Sequence, residues 1–113
     1  MQYMFLIYAQ EGGPDDPEVM KRYGAFTQEL REAGKMVGGD RLQPSTAATT
    51  VRIRNGETLT TDGPFAETKE VLGGYFILEC ESLDEALAYA ERIPAAEHGS
   101  VEVRPIAQVP AQV

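Results

Sequence analysis

The sequence predicts an α+β sandwich of ferredoxin-like type, an antiparallel sheet with two helices on one face and an extra β-hairpin. Three observations carry that prediction. Residues 3–8 and 75–80 are apolar almost without interruption and too short for helices, as in strands covered on both faces. Two other segments place apolar residues at helical spacing between clear start and stop signals. The elements fall in the order strand, helix, strand, hairpin, strand, helix, strand, with no repeat, linker or low-complexity stretch between them.

The first strand, residues 3–8, reads Tyr-Met-Phe-Leu-Ile-Tyr and belongs in the middle of its sheet. A polar connection ends in Asp16-Pro17, a capping residue followed by the proline favoured at the first helical position. Val19, Tyr23, Phe26, Leu30 and Ala33 then recur every three or four residues and paint one stripe on the first helix, which Gly34 stops. Residues 35–42 form a second strand in which Gly38-Gly39 predicts a bulge or a close backbone approach. Residues 49–54 alternate and are joined by Asn55-Gly56 to residues 57–61. That dipeptide predicts a hairpin, because both central turn positions need positive φ. Asp62-Gly63-Pro64 breaks the second arm, and after Gly73-Gly74 comes the third apolar strand, residues 75–80. Ser82 and Glu85 form a capping box ahead of Leu83, Ala86, Leu87 and Ala90 on one helical face, with Pro94 expected to end that helix. Residues 101–104 alternate, and Pro105 marks a strand end or an edge. One domain over residues 1–107 is expected, followed by a loosely ordered tail, 108–113.

At 113 residues the chain is long enough for one modest core and too short for a cofactor domain plus a substrate domain. Ten Lys and Arg against 18 Asp and Glu give a net charge of −8, which repels phosphate backbones and anionic lipid, so neither nucleic acid nor membrane is an expected partner. The single cysteine, Cys80, permits no disulfide framework and no thiolate zinc cage. The opening residues carry neither a basic leader nor a small-residue cleavage site, and a cytoplasmic location is expected.

Two helices cover one sheet face, yet the strands at 3–8 and 75–80 are apolar on both. A second face of that kind would be a large exposed apolar patch, which soluble proteins avoid. The expected cover is a second copy related by a two-fold axis, making the protein a homodimer.

The connection from Asp62 to Tyr75 is the most unusual segment, with two acids, a lysine, a tight turn and a glycine pair in more chain than a sheet requires. In one reading Asp62 holds the turn backbone, Phe65 plugs the core, and Glu67, Lys69 and Glu70 are solvated charges. In the other the loop folds over a pocket, with Asp62 or Glu67 as the acid/base or ligand-binding carboxylate and Lys69 holding an anionic group. His98, the only histidine, is either a loop residue without chemistry or a proton carrier near neutral pH. Glu102 and Arg104 share one strand face, so Arg104 either clamps a ligand carboxylate or pairs with Glu102 or another acid across the sheet. Tyr3, Tyr8, Tyr23 and Tyr75 read as core residues with wet hydroxyls, and Cys80 as a small buried hydrophobe. No phosphate-cradling glycine loop, metal-ligand spacing or nucleophile elbow is present, and no cofactor or metal is called for.

The run Asp62-Gly63-Pro64-Phe65, followed by Ala66-Glu67-Thr68-Lys69-Glu70 and Leu72-Gly73-Gly74-Tyr75, resembles the DGPF branch of the YCII-related proteins. Gly99-Ser100-Val101-Glu102-Val103-Arg104-Pro105, the opening Tyr3-Met4-Phe5-Leu6-Ile7-Tyr8 and Leu30-Arg31-Glu32-Ala33-Gly34 resemble it too, so the likeness spans about residues 1–107. It implies a dimeric α+β barrel, in which two ferredoxin-like subunits press their open sheet faces together, and a bacterial cytoplasmic protein. The wider superfamily includes enzymes and small-molecule binders that use the cleft between sheet and helices. Some members are linked to extracytoplasmic-function sigma factors, which implies an alternative role as a non-catalytic regulatory module. The better-known YCII branch pairs a histidine in the first helix with an aspartate before a proline at the end of the second. The matching positions here are Tyr23 and Ile93, the latter followed by Pro94, and neither can do that acid/base work. The resemblance therefore moves any chemistry to Asp62 and Glu67, with His98, Glu102 and Arg104 as further contacts. The expected ligand cleft is lined by Asp62, Phe65, Glu67, Lys69 and Arg104, with Tyr23 or His98 beside them.

Overall fold

The computed structural model describes residues 1–13 and 15–109, so Pro14 and the last four residues of the expected tail, 110–113, lie outside the described residues. The chain runs β1 (Gln2–Ala9), α1 (Pro17–Glu32), β2 (Met36–Arg41), a 3-10 turn (Ser45–Ala47), β3 (Thr49–Arg54), β4 (Glu57–Asp62), β5 (Val71–Glu79), α2 (Leu83–Ala90), a second 3-10 turn (Pro94–Glu97) and β6 (Ser100–Pro105). The main sheet has the order β2, β5, β1, β6 and is antiparallel throughout, which is the ferredoxin-like arrangement the element order predicts. The first strand is central and the last forms an edge, as expected.

Pairing sets which side chains meet the helices. Phe5 lies opposite Phe76 and Val103, and Tyr3 opposite Leu78, so alternation sends all of these to one face. There they join Phe26 and Leu30 of α1, Ala86 and Ala90 of α2, and Ile93 in one buried cluster. Phe5, Leu30, Leu78 and Ile93 are fully excluded from water, each contributing about 1.5–3 kcal/mol by transfer alone. Phe26 stands edge-on to Phe76, ring centroids 5.9 Å apart, the favoured geometry for rings with a negative face and a positive rim.

The helix signals act largely as read. Asp16 accepts the Glu18 amide at 2.9 Å, and Gly34 ends α1 at φ +72° with Lys35 N–H donating to the Leu30 carbonyl. Ser82 accepts the Glu85 amide at 3.1 Å, but the return half of the capping box is absent because the Glu85 carboxylate takes Lys35 Nζ at 2.8 Å instead. The second helix stops at Ala90 rather than at Pro94, and Pro94 opens the following 3-10 turn. Its buried stripe keeps the two expected alanines and loses the two expected leucines. Ala86, Ala90 and Ile93 face the sheet, while Leu83 and Leu87 remain exposed, since the small alanines let so short a helix sit close to the strands. The fifth strand begins at Val71, earlier than expected, because Leu72 and Val71 continue pairing with Tyr8 and Ala9 across a bulge.

Two double-pronged ion pairs fasten α1 to the segment after α2. Arg22 donates to both oxygens of Glu97 at 2.9 and 2.8 Å, and Arg92 to both of Glu29 at 2.8 and 2.7 Å while lying 5.1 Å from the Phe26 ring centre. Their arginines hold both carboxyls below the usual range.

In β2 the register slips between Met36 and Gly38, and a Cβ on Gly39 would lie 2.9 Å from the Phe76 ring, so the glycine pair marks both a bulge and a close approach. The hairpin turns through Asn55 and Gly56 at φ 52° and 79°, as the dipeptide requires, but it forms a two-stranded sheet of its own. On the main sheet, Met4, Leu6, Tyr8, Tyr75 and Ile77 occupy the face turned from the helices and are only half-buried. Tyr3 is buried in the core, Tyr8 and Tyr75 lie on that open face, and the Tyr75 hydroxyl donates to Asp40 at 2.8 Å. Among the described residues no helix is long and apolar enough to cross a membrane.

Two glycines separate backbone cost from packing cost. A Cβ on Gly99 would lie 2.2 Å from the Tyr8 carbonyl oxygen, whereas one on Gly24, inside α1, meets nothing within 4 Å. In urea denaturation Gly99→Ala should lose about 1–3 kcal/mol or more, as overpacking does. Gly24→Ala should gain about 0.5–1 kcal/mol by restricting the unfolded chain.

Candidate functional site

The connection between β4 and β5 passes from the hairpin back to the main sheet, and its two ends are tied down. At the start, Gly63 adopts φ +97°, a conformation that favours glycine; its N–H donates to the Ala48 carbonyl at 2.7 Å, and its own carbonyl accepts Thr50 Oγ1 at 2.8 Å. At the end, Thr68 Oγ1 donates to the Glu70 carbonyl at 2.5 Å, and Ser100 Oγ donates to Glu70 Oε1 at 2.9 Å. A third tie comes from the loop after β1. Glu11 accepts the Ser45 amide at 2.7 Å and the Ser45 hydroxyl at 2.5 Å, fixing the 3-10 turn beside the end of β1.

These ties frame an open cleft of about 390 Å³. Glu11, Ser45 and Thr46 form one wall and Glu67, Thr68 and Lys69 the other, with the Gly63-Pro64 turn and Val71 between them. Serine and threonine hydroxyls, one lysine and two acids make it polar on most sides. Glu11 is committed as an anion: the Ser45 hydroxyl first, then its amide, hold the carboxyl below the usual range. Glu67 and Lys69 have no ionic partner among the described residues and are the charged groups left to meet a ligand. A second cleft of about 380 Å³ lies between α2 and β6, lined chiefly by Leu87, Ala90, Val101 and Val103, and offers apolar surface with Glu91 as its titratable group.

The structure brings Glu67 and Lys69 together and leaves the other expected site residues elsewhere in the chain. Asp62 ends β4 opposite Thr49, exposed, and neither lines the cleft nor holds its own turn. Phe65, expected as a core plug or a cleft wall, is 78% exposed, with only its carbonyl engaged, by Arg52. Tyr23 packs half-buried against the core from α1, where burial raises its hydroxyl pKa. His98 is exposed at the end of the second 3-10 turn. Glu102 and Arg104 pair with each other on the open sheet face beside Leu6 and Met4, the structural alternative weighed for Arg104. Burial raises the Cys80 thiol pKa, in keeping with a packing role.

The cleft residues that sequence reasoning missed are Glu11, Ser45, Thr46 and Thr68. Glu11 and Ser45 stand 34 positions apart, and nothing in their local patterns points one to the other. The sole sequence signal was the polar character of the loop holding Glu11. Among the described residues no group of three or more His, Cys, Asp or Glu is arranged to hold a metal ion.

The profile of the YCII-related domain matches residues 1–110. An uncharacterized protein of Rhizobium meliloti (strain 1021) is 44% identical over 115 residues, covering 95% of this chain and 93% of that protein. Among solved structures, the 5-chloro-2-hydroxyhydroquinone dehydrochlorinase (TftG) of Burkholderia phenoliruptrix AC1100, in complex with 2,5-dihydroxybenzoquinone, shares the fold. The TM-score is 0.50 at 18% identity, with 96% of each chain covered.

The Glu11 tie gives the cleft an acid limit. A carboxyl whose pKa is lowered on folding adds stability that is present above its ordinary value of 4.5 and is lost as pH falls through the lower folded value. The protection of the Ser45 amide, its exchange rate by NMR relative to that of an unstructured amide at the same pH, should therefore fall once pH drops below that ordinary value. Glu11→Gln should show fast exchange at neutral pH and no such acid step.

Proposed function

This chain belongs to the YCII-related domain family, and on that premise we propose that it is a small-molecule-binding protein, working as a pair of identical chains, whose ligand sits in the cleft beside the Asp-Gly-Pro-Phe loop. The observation that carries the reading is the cleft between Glu11-Ser45 and Glu67-Lys69. Its walls are pinned by side-chain hydrogen bonds, while Glu67 and Lys69 keep their charges free. A pinned frame with unspent polar groups binds without first having to order itself. Lys69 suits an anionic oxygen, Glu67 a hydroxyl proton, and the Thr46 and Thr68 hydroxyls further oxygens. A small, oxygen-rich, acidic or phenolic molecule is the class that fits. A protein of the same fold in complex with 2,5-dihydroxybenzoquinone supports that class.

The paired state is supported by the uncovered sheet face, where Met4, Leu6, Tyr8, Tyr75 and Ile77 form a contiguous apolar surface. A second chain also offers the route by which Asp62, Phe65, Glu102 or Arg104 could reach a ligand, since within one chain they lie away from the cleft. With its one thiol buried and its net charge strongly negative, the pair suits the cytoplasm. The second reading, a non-catalytic module that acts on an extracytoplasmic-function sigma factor, needs no ligand and no free Glu67.

A thermal-shift screen of small phenols, quinones, carboxylic acids and phosphate esters separates the two. At about 100 times its dissociation constant a ligand should stabilise the native chain by about 2.7 kcal/mol, a shift of several degrees. That shift should vanish in Glu67→Gln combined with Lys69→Met. A flat screen, or an equal shift in the double variant, would move the assignment to the regulatory reading.

A further inference from the structure

The β3–β4 hairpin has no part in the cleft beyond its base, yet its two faces differ sharply. Because Thr49 lies opposite Asp62, Val51 opposite Thr60 and Ile53 opposite Thr58, one face is built from Thr49, Val51, Ile53, Thr58 and Thr60, with Asp62 at its base. The five beyond Asp62 are all β-branched and uncharged. The opposite face carries Arg52, Arg54, Glu57 and Leu59. Such a ribbon is amphipathic, and β-branched side chains on a pleat are suited to a surface that something else covers. Nothing among the described residues does: Val51 is 61% and Ile53 65% exposed.

We propose that this hairpin is a docking arm whose β-branched face lies against a second copy of the same chain. The inference rests on the paired state proposed above and adds a second contact to it. A lone two-stranded ribbon is marginal in water, and this one is held to its own chain only near its base, through Gly63 N–H on Ala48, Thr50 on Gly63 and Arg52 on Phe65. It extends the molecule accordingly. The radius of gyration is 16.2 Å, against about 13 Å for a compact chain of this length.

Area and charge both point to a second copy as the occupant. Four strands at roughly 4.8 Å spacing and about six residues at roughly 3.4 Å give the open sheet face a footprint of about 400 Å². Two such faces pressed together bury about 800 Å², less than the roughly 1,200 Å² at which stable interfaces begin. Each arm offers about 200 Å² by the same spacings and covers as much again on its partner, which brings the total to about 1,600 Å², the standard size. Arg52 and Arg54 balance Glu57 and Asp62, so the arm is neutral and the net charge of −8 resides in the rest of the chain. A neutral apolar arm is the part of the molecule that meets an acidic twin with least repulsion. With both surfaces on one chain, a two-fold axis uses each arm once and closes the assembly.

Sedimentation velocity over a dilution series tests this with the wild type, with Val51→Asp combined with Ile53→Asp, and with Arg54→Ser combined with Glu57→Ser. The aspartate variant should weaken the pair's dissociation constant by about 100-fold or more, as loss of two buried branched side chains per arm implies. The serine variant, altered on the other face, should stay within about threefold, a change near the least that such fits resolve. Circular dichroism checks that each variant folds. Should the aspartate variant not fold, amide exchange over residues 57–62 of the wild type decides alone: it should slow as concentration rises. Pairing that survives in a folded aspartate variant, or exchange over 57–62 that ignores concentration in a protein that pairs, overturns the arm and leaves pairing through the open faces intact. A wild type that stays single at every concentration overturns both.

Discussion

The apolar side chains that β1 and β5 place on the sheet face turned from the helices govern the rest of the molecule. Both helices return to the same side of the sheet, so every apolar residue of odd register from Tyr3 to Ile7 finds a partner in α1 or α2, and Met4, Leu6 and Tyr8 find none. The core itself is modest, since α2 has only eight residues and contributes alanines where longer helices would contribute leucines. The consequence is a chain whose buried half is complete and whose other face carries apolar side chains along β1 and β5, bordered by the Glu102–Arg104 pair on β6.

That arrangement also explains where a site can form. The helix side of the sheet is filled by Phe5, Phe26, Phe76, Leu30 and Leu78, with Tyr23 used as packing, and the cleft that remains there, between α2 and β6, is lined chiefly by apolar side chains. Polar surface gathers instead at the sheet's end, where the hairpin departs and returns. The chain must cross there from a two-stranded ribbon to a four-stranded sheet, and the crossing is held by Glu11 on Ser45 and Ser100 on Glu70 rather than by strand pairing. Those bonds spend Glu11 and Glu70 on architecture and release Glu67 and Lys69 from it. The motif's first acid, Asp62, does neither: it ends β4 opposite Thr49 and is exposed outside the cleft lining.

How far the sequence could be read follows the range of the interactions. Local signals were reliable: Asp16-Pro17, Gly34, Ser82 and Asn55-Gly56 each set the backbone within a few residues of themselves, and each does what its chemistry dictates. Faces were legible only in β6, where Val101 and Val103 alternate with Glu102 and Arg104; β1 and β5 are apolar on both faces, and pairing register and burial show which side meets the helices. The errors lie where two elements compete for one residue. Glu85, expected to close a capping box, goes to Lys35; of the expected α2 stripe of Leu83, Ala86, Leu87 and Ala90, the two alanines are buried and the two leucines stay exposed. The cleft was half legible. Glu67 and Lys69 stand in one loop and were found, while Glu11 and Ser45 meet only because β1 and β2 end at the same side of the sheet, which no local pattern encodes.

In the proposed pair, the open face of the sheet becomes an interior surface shared by two chains. An isotope-filtered NMR experiment on a mixture of labelled and unlabelled chains observes that surface directly. The account predicts intermolecular contacts from the methyl groups of Met4, Leu6 and Ile77 to protons of the other chain. Methyl signals that meet only their own chain and water, at concentrations where the protein is fully soluble, would contradict it.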